Sequence, residues 1–346
     1  MDEGANGGQT VIVDQKGKPW AFNLLDLKVK IPNFSNSPII ASAVGNKTTY
    51  FLNLDGKMFG MSNSAIKKPV LLEYPPKIVS FAAAVYTEHL FFLDDEHKVW
   101  FVGDNLLFNF SRFFSASLTD AKLLNSIFPT IPPIRTIAAG NRCGFCIDFD
   151  GGVWTVGTNT DGILGHISNG NTLSKIPNIP PMRDVSSSWH TLFLDEEGCV
   201  WSTGRNSNGQ LGFKILDVNG TVSPLKIGTL PPILAIAAGT KHSLFLDCNG
   251  EVWGCGFNKY GQLGLGIDYS PLLPTKIEGL PPILAISCVR DISLFVDENF
   301  SLWYCGYQRI YPYQAILSPQ MLPKFSCTTE CIKIVEGRRE TKSARK

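Results

Sequence analysis

Three histidines, His89, His190 and His242, each open a short apolar run closed by aspartate: HLFFLD, HTLFLD and HSLFLD. Histidines recurring at one slot invite metal or proton chemistry. A metal, however, needs ligands converging on one point, whereas residues at the same place in successive repeats are spread out by the repeat itself. Thr48, Cys143 and Ile292 fill the same slot elsewhere, and isoleucine has no ligand chemistry. The expectation is therefore a buried, neutral imidazole bonded to the backbone of a neighbouring repeat. Cys143 and Cys146 form a CxxC, but strand residues three apart point to opposite faces and cannot share one ion. The run GEVWGCGFNKYGQLGLG is rich in glycine but lacks the Lys-Ser/Thr ending and the following helix that a phosphate cradle needs. GxSxG and HExxH motifs are absent. These residues argue for no catalytic centre, no metal and no cofactor.

The elements that carry these residues repeat along the chain. Units beginning PPIRTIAAG, PPMRDVSSS, PPILAIAAG and PPILAISCV are followed by the slot, the apolar run, a turn and a Trp-containing strand. One aromatic marks each unit, at Phe59, Trp100, Trp154, Trp201, Trp253 and Trp303. The turns include Asp55-Gly56, Asp150-Gly151 and Asn249-Gly250, where glycine accepts positive φ at little cost. Short strands in units of roughly 50 residues imply the four-stranded blades of a β-propeller. Trp20, in TVIVDQKGKPWAF, marks half a unit at one end of the sequence, and CIKIVEG at 331–337 supplies the missing first strand at the other. The expected fold is all-β, a seven-bladed propeller of four-stranded blades whose ring is closed by N- and C-terminal strands sharing one blade. It would occupy residues 9–337, with a disordered start at 1–8 and a basic tail at 338–346.

Composition narrows the function classes. The 346 residues carry 31 Lys+Arg against 30 Asp+Glu, a net charge of +1, so the broad basic field of a nucleic-acid binder is missing. No apolar stretch is long enough for a membrane span. Nine cysteines, an odd number, without a secretory leader are expected to be reduced thiols in an intracellular protein, cytoplasmic or nuclear.

Units that read IAAGxxHSLFLDxxGxVWxxGxNxxGQLGxG resemble the repeat of the regulator-of-chromosome-condensation family, a family of seven-bladed propellers. The likeness runs through almost the whole chain and is most specific around 184–212 and 221–266. The family includes an exchange factor for the small GTPase Ran, ubiquitin-ligase substrate modules, a plant ultraviolet receptor and ciliary scaffolds, so the resemblance implies a fold rather than one function. The photoreceptor's tryptophans stand two residues before the slot, where this chain has Asn46, Thr87, Asn141, Ser188, Thr240 and Arg290. The exchange factor's pattern implies acidic residues one place before the slot. Here those positions are Lys47, Glu88, Arg142, Trp189, Lys241 and Asp291, of which only Glu88 and Asp291 are acidic. The segment after Trp154, where that factor extends a wedge, is short.

The expected function is a non-catalytic protein-interaction platform. Its partner would meet the rim bearing Trp189, Glu88, Asp291, Lys241, Arg142 and Lys47, whose mixed charge suits a protein better than DNA. The alternatives are a guanine-nucleotide exchange factor for a Ran-like GTPase and an architectural subunit of a larger assembly. Trp189 is the only aromatic at that position: it is either a partner anchor or a contact to a neighbouring loop. The Phe-rich insert 104–130 is either a binding loop or a small satellite core, and the tail 338–346 either an import or acidic-partner segment or a solvated terminus.

Overall fold

The computed structural model describes residues 10–13, 17–22, 29–62, 68–73, 77–84, 87, 89–103, 121–168, 172–214, 220–266, 269–308 and 314–326. Six antiparallel four-stranded sheets follow one another along the chain, at 39–72, 78–123, 134–175, 182–226, 233–276 and 283–326; they are called blades one to six below. A three-stranded sheet, Thr10–Val13, Pro19–Phe22 and Val29–Lys30, precedes them. Its strands correspond to the second, third and fourth of a blade, as the split unit requires. Six complete blades are thus seen where seven were expected, and the strand expected at 331–337 lies outside the described residues.

The N-terminal sheet nevertheless touches both neighbours in a ring. Val13 and Ile31 join Ile39, Phe51, Phe59 and Met61 of blade one in a single core. On the other side Trp20 packs against Ala285, Leu294, Val296, Leu302 and Leu322 of blade six. The N-terminal sheet and blade six therefore meet face to face, which covers apolar blade faces that would otherwise be exposed.

Blade five shows the local logic. Ile233–Ala238 pairs with His242–Asp247, which pairs with Val252–Gly256, with Phe245 opposite both Ile236 and Trp253. The middle strand is buried along its whole length, as expected of a strand covered by a blade on each face. The aspartate closing this strand organises the hairpin. Asp247 Oδ1 accepts from the Asn249 and Glu251 amides at 2.9 Å, and Trp253 Nε1–H donates to Oδ2 at 3.1 Å. The same indole–carboxylate bond joins Asp94 to Trp100, Asp148 to Trp154, Asp195 to Trp201 and Asp297 to Trp303. Blade one carries Asn53 and Phe59 instead, and there Asn53 Oδ1 accepts only from the Lys57 amide while Nδ2 donates to Ser35 Oγ. An amide replaces the carboxylate where no indole N–H needs an anion. Trp253 packs against the core between blades four and five but is only half-buried, because its N–H is drawn to the hairpin end of the blade.

A bulge interrupts the first strand of every complete blade at its second residue. In blades three and four the bulged residue is an arginine that reaches the next blade: Arg135 Nη2 donates to Met182 O at 3.0 Å and Arg183 Nη2 to Ile233 O at 2.8 Å. A hairpin-turn carbonyl also accepts the opening amide of the next blade, as in Ile39 N to Gly17 O, Ile78 N to Gly56 O and Ile283 N to Gly250 O. Of the insert 104–130, residues 104–120 lie outside the described residues. Lys122–Leu123 forms the outer strand of blade two, and Leu124 is fully buried in the core shared with blade three. No helix among the described residues is long and apolar enough to cross a membrane.

Candidate functional site

The slot residues sit at the end of each blade opposite the hairpin, where the second strand begins. His190 Nε2 lies 2.7 Å from Ser243 Oγ of the next blade, and His242 Nε2 lies 3.0 Å from Ser293 Oγ. Each serine in turn donates to a backbone carbonyl of the preceding blade, Ser243 to Gln210 O at 2.7 Å and Ser293 to Gln262 O at 2.5 Å. A hydroxyl spent on a carbonyl can only accept from the imidazole, so both histidines carry their proton on Nε2. The sequence pointed to a backbone partner; the imidazole instead reaches the backbone through a hydroxyl, because Ser243 and Ser293 stand one residue past the slot of the next blade. His89 bonds within its own blade, to Thr87 Oγ1 at 2.8 Å.

Burial pushes the basicity of these rings down, to about 3 for His190 and His242 and about 4 for His89, with the Arg142 charge adding to the effect on His89. The unfolded chain takes up protons near pH 6.5 that the folded chain refuses, so stability is full above pH 6.5 and declines as pH falls toward the folded values. His190 and His242 should each forfeit about 2 kcal/mol between pH 6.5 and 5. His242→Gln should flatten the dependence of urea-unfolding free energy on pH over this range; an unchanged slope would mean the imidazole is protonated in place.

The CxxC thiols do not converge. Cys143 belongs to the core facing blade four and Cys146 to the core facing blade two, and burial pushes both up to about 12. Seven cysteines are free thiols; Cys327 and Cys331 lie outside the described residues.

The described turns one residue before the slot lie along one rim. In four blades the turn carbonyl accepts the amide of the residue after a third-strand glycine: Thr158 N to Arg142 O, Arg205 N to Trp189 O, Phe257 N to Lys241 O and Tyr307 N to Asp291 O, at 2.8 to 3.4 Å. Adjacent blades are tied by Asn141 N to Ser188 O and Thr240 N to Arg290 O. Of the six rim residues singled out from the sequence, Lys47, Arg142 and Lys241 are exposed, Trp189 and Asp291 are half-buried, and Glu88 lies outside the described residues. The described ones are distributed around the face, and Arg142 and Trp189 of adjacent blades come together. Both line a cleft of about 430 Å³ that spans three blades, with Thr87 from blade two, Asn141, Thr158, Thr160, Asp161 and Ile163 from blade three, and Trp189 from blade four. The Arg205 guanidinium, at the end of the adjoining strand Val200–Arg205 of the same blade, lies 5.7 Å from the Trp189 ring centre.

Sequence reasoning missed a second feature of the rim. Tyr260 stacks on Tyr307 of blade six with ring centres 4.6 Å apart, and Phe257 meets Tyr260 edge-on at 5.5 Å. Lys241 Nζ lies 5.3 Å over Phe257. The signal was legible as aromatics directly after the third-strand glycines Gly256 and Gly306, in two successive units only.

Comparison with known proteins adds to this geometry. The sequence profile described as "Regulator of chromosome condensation (RCC1) repeat" matches residues 197–246 and 249–296, and a second profile of that description matches 233–262. The chain is 38% identical over 229 residues to the Danio rerio "Protein RCC2 homolog", covering 65% of this chain and 41% of that protein. It is 26% identical over 248 residues to "Guanine nucleotide exchange factor SRM1" of Saccharomyces cerevisiae, covering 60% of this chain and 51% of that one. The chain thus spans about half or less of the length of these curated relatives. Among solved structures, Prp20p from Saccharomyces cerevisiae superposes with a TM-score of 0.73 at 19% identity, over 84% of this chain and 80% of that one. Human WBSCR16 superposes with a TM-score of 0.72 at 16% identity, over 88% and 84%. At such identities the superpositions establish the fold.

Proposed function

We infer that this chain, which carries regulator-of-chromosome-condensation repeats at 197–246 and 249–296 and folds as a β-propeller, is a non-catalytic platform that holds a protein partner on the slot-side rim. The observation that carries this reading is the Arg142–Trp189 cleft, which crosses three blades and combines an exposed guanidinium with a half-buried indole. Tryptophan and arginine are the residue types that dominate binding hot spots. The slot histidines are held neutral and internally bonded, so they offer a partner neither a charge nor a proton. Lys241 and Asp291 extend the contact face around the ring, as do Lys47 and Glu88 in the proposal. Free, reduced thiols favour an intracellular setting, cytoplasmic or nuclear.

The test is capture of the cellular partner by immobilised protein. Trp189→Ala should weaken capture by about tenfold or more and leave the unfolding midpoint close to that of the parent protein. Full capture by this variant would remove the cleft from the interface.

A second reading, guanine-nucleotide exchange on a Ran-like GTPase, is favoured by the similarity to the yeast exchange factor. Release of a fluorescent nucleotide from a panel of small GTPases separates the two, since a platform accelerates none of them. An architectural role would instead show as stable co-purification that survives rim substitutions.

A further inference from the structure

The two faces of the ring treat charge differently. The four ion pairs among the described residues, Lys98–Glu96, Arg135–Glu196, Lys175–Asp148 and Lys276–Glu251, all involve carboxylates at the hairpin end of the blades. On the slot-side rim, Lys47, Arg142, Lys241 and Lys259 are exposed, and none pairs with a carboxylate of the described residues. Asp161 lines the same cleft as Arg142 yet makes no ion pair with it. The Arg142 backbone is fixed in the left-handed region at φ 59, and its carbonyl is tied to the Thr158 amide. The backbone that carries this guanidinium is therefore fixed at the cleft, and no hydrogen bond or ion pair within the described residues occupies its side-chain donors.

We propose that this face docks an acidic segment of a partner protein, with one carboxylate of that segment on the Arg142 guanidinium and its aliphatic stem against the Trp189 ring. The proposal rests on the platform reading and deepens it by assigning the partner's chemistry. A guanidinium fork matches a carboxylate with two parallel N–H···O bonds, and the threonine and asparagine side chains that line the cleft can serve the adjoining peptide groups. A nucleic acid is the poorer match. Phosphates ask for an unbroken track of cations, whereas Asp161 and Asp291 interrupt this rim. The neighbouring aromatic rings, moreover, are stacked on one another.

The experiment follows the fluorescence anisotropy of three probes with the full chain: a labelled peptide alternating glutamate and leucine, its glutamine counterpart, and a labelled oligo-deoxythymidine. The glutamate peptide should bind, the glutamine peptide should not, and added salt should weaken the complex. Arg142→Gln should lower affinity for the glutamate peptide about tenfold. Arg142→Gly, which suits the positive φ, reads the same loss should the glutamine variant fold poorly. Lys98→Gln, on the opposite face, should change nothing. Equal binding of the two peptides, an unchanged affinity in both Arg142 variants, or tighter binding of the oligonucleotide would overturn the proposal. If Trp189→Ala abolishes partner capture while the glutamate peptide fails to bind, the acidic occupant is wrong and the platform stands. If capture survives Trp189→Ala, the platform reading itself is at fault.

Discussion

Replacing Asp247 by alanine should cost about 3 kcal/mol of stability, a loss out of proportion to one short side chain. The carboxylate is 1% exposed and accepts three hydrogen bonds, from the Asn249 and Glu251 amides and from the Trp253 indole. Alanine leaves those donors facing a space formerly filled by an anion. Asp247→Asn separates the contributions. Its oxygen can still serve the two amides, but its NH2 group then faces the indole N–H, donor against donor. That variant should be destabilised as well, and Trp253→Phe in the same chain should recover part of the loss. Blade one, with Asn53 and Phe59, already uses this combination. Urea unfolding of the two single variants and the double variant forms the required cycle. Strict additivity would show that the indole and the carboxylate are not coupled.

Gly256→Ala should be equally damaging, and through the rim. Gly256 sits at φ 102, and a Cβ there would lie 2.5 Å from Lys241 O and 3.0 Å from His242 Cα. Gly306 repeats the situation in blade six, where the added carbon would run into Asp291 O. In blades five and six the third strand passes so close to the rim turn that only a residue without a side chain fits. Strain plus displacement of the turn should cost about 2–4 kcal/mol. It should also shift the Phe257 amide, which donates to Lys241 O. Gly228→Ala, with nothing within 4 Å of the added carbon, is the control and should stay within about 0.5 kcal/mol of the parent. Thermal melts of the two variants settle the comparison; similar midpoints would mean that the turn yields without cost.

The spacing of six aromatics already determined a β-propeller of four-stranded blades, because a repeated apolar pattern admits few ways of burying both faces of every strand; the closing strand expected at 331–337 lies outside the described residues. The turn positions before the slot were equally legible, and Lys47, Arg142, Trp189, Lys241 and Asp291 fall on the rim as the repeat phase placed them. Opposite orientation of Cys143 and Cys146 followed from the two-residue period of a strand. What the repeat phase could not give was anything that depends on how one blade meets the next. Pairing of His190 with Ser243 joins residues 53 apart in the chain, and Arg183 reaches Ile233 across 50. Such distances along the chain are closed only by the packing of whole sheets. The cleft is of the same kind: Thr87, Arg142 and Trp189 stand at similar places in three units, and only the rotation between blades decides that their side chains border one space. The Asp–Trp bond lay in plain view as a spacing of six, yet its meaning required the hairpin to fold back and bring carboxylate and indole to the same end of the blade. The sequence determined the blades by itself; the interfaces between them, and with them the candidate site, came from tertiary packing, because the partners of those bonds belong to different repeats.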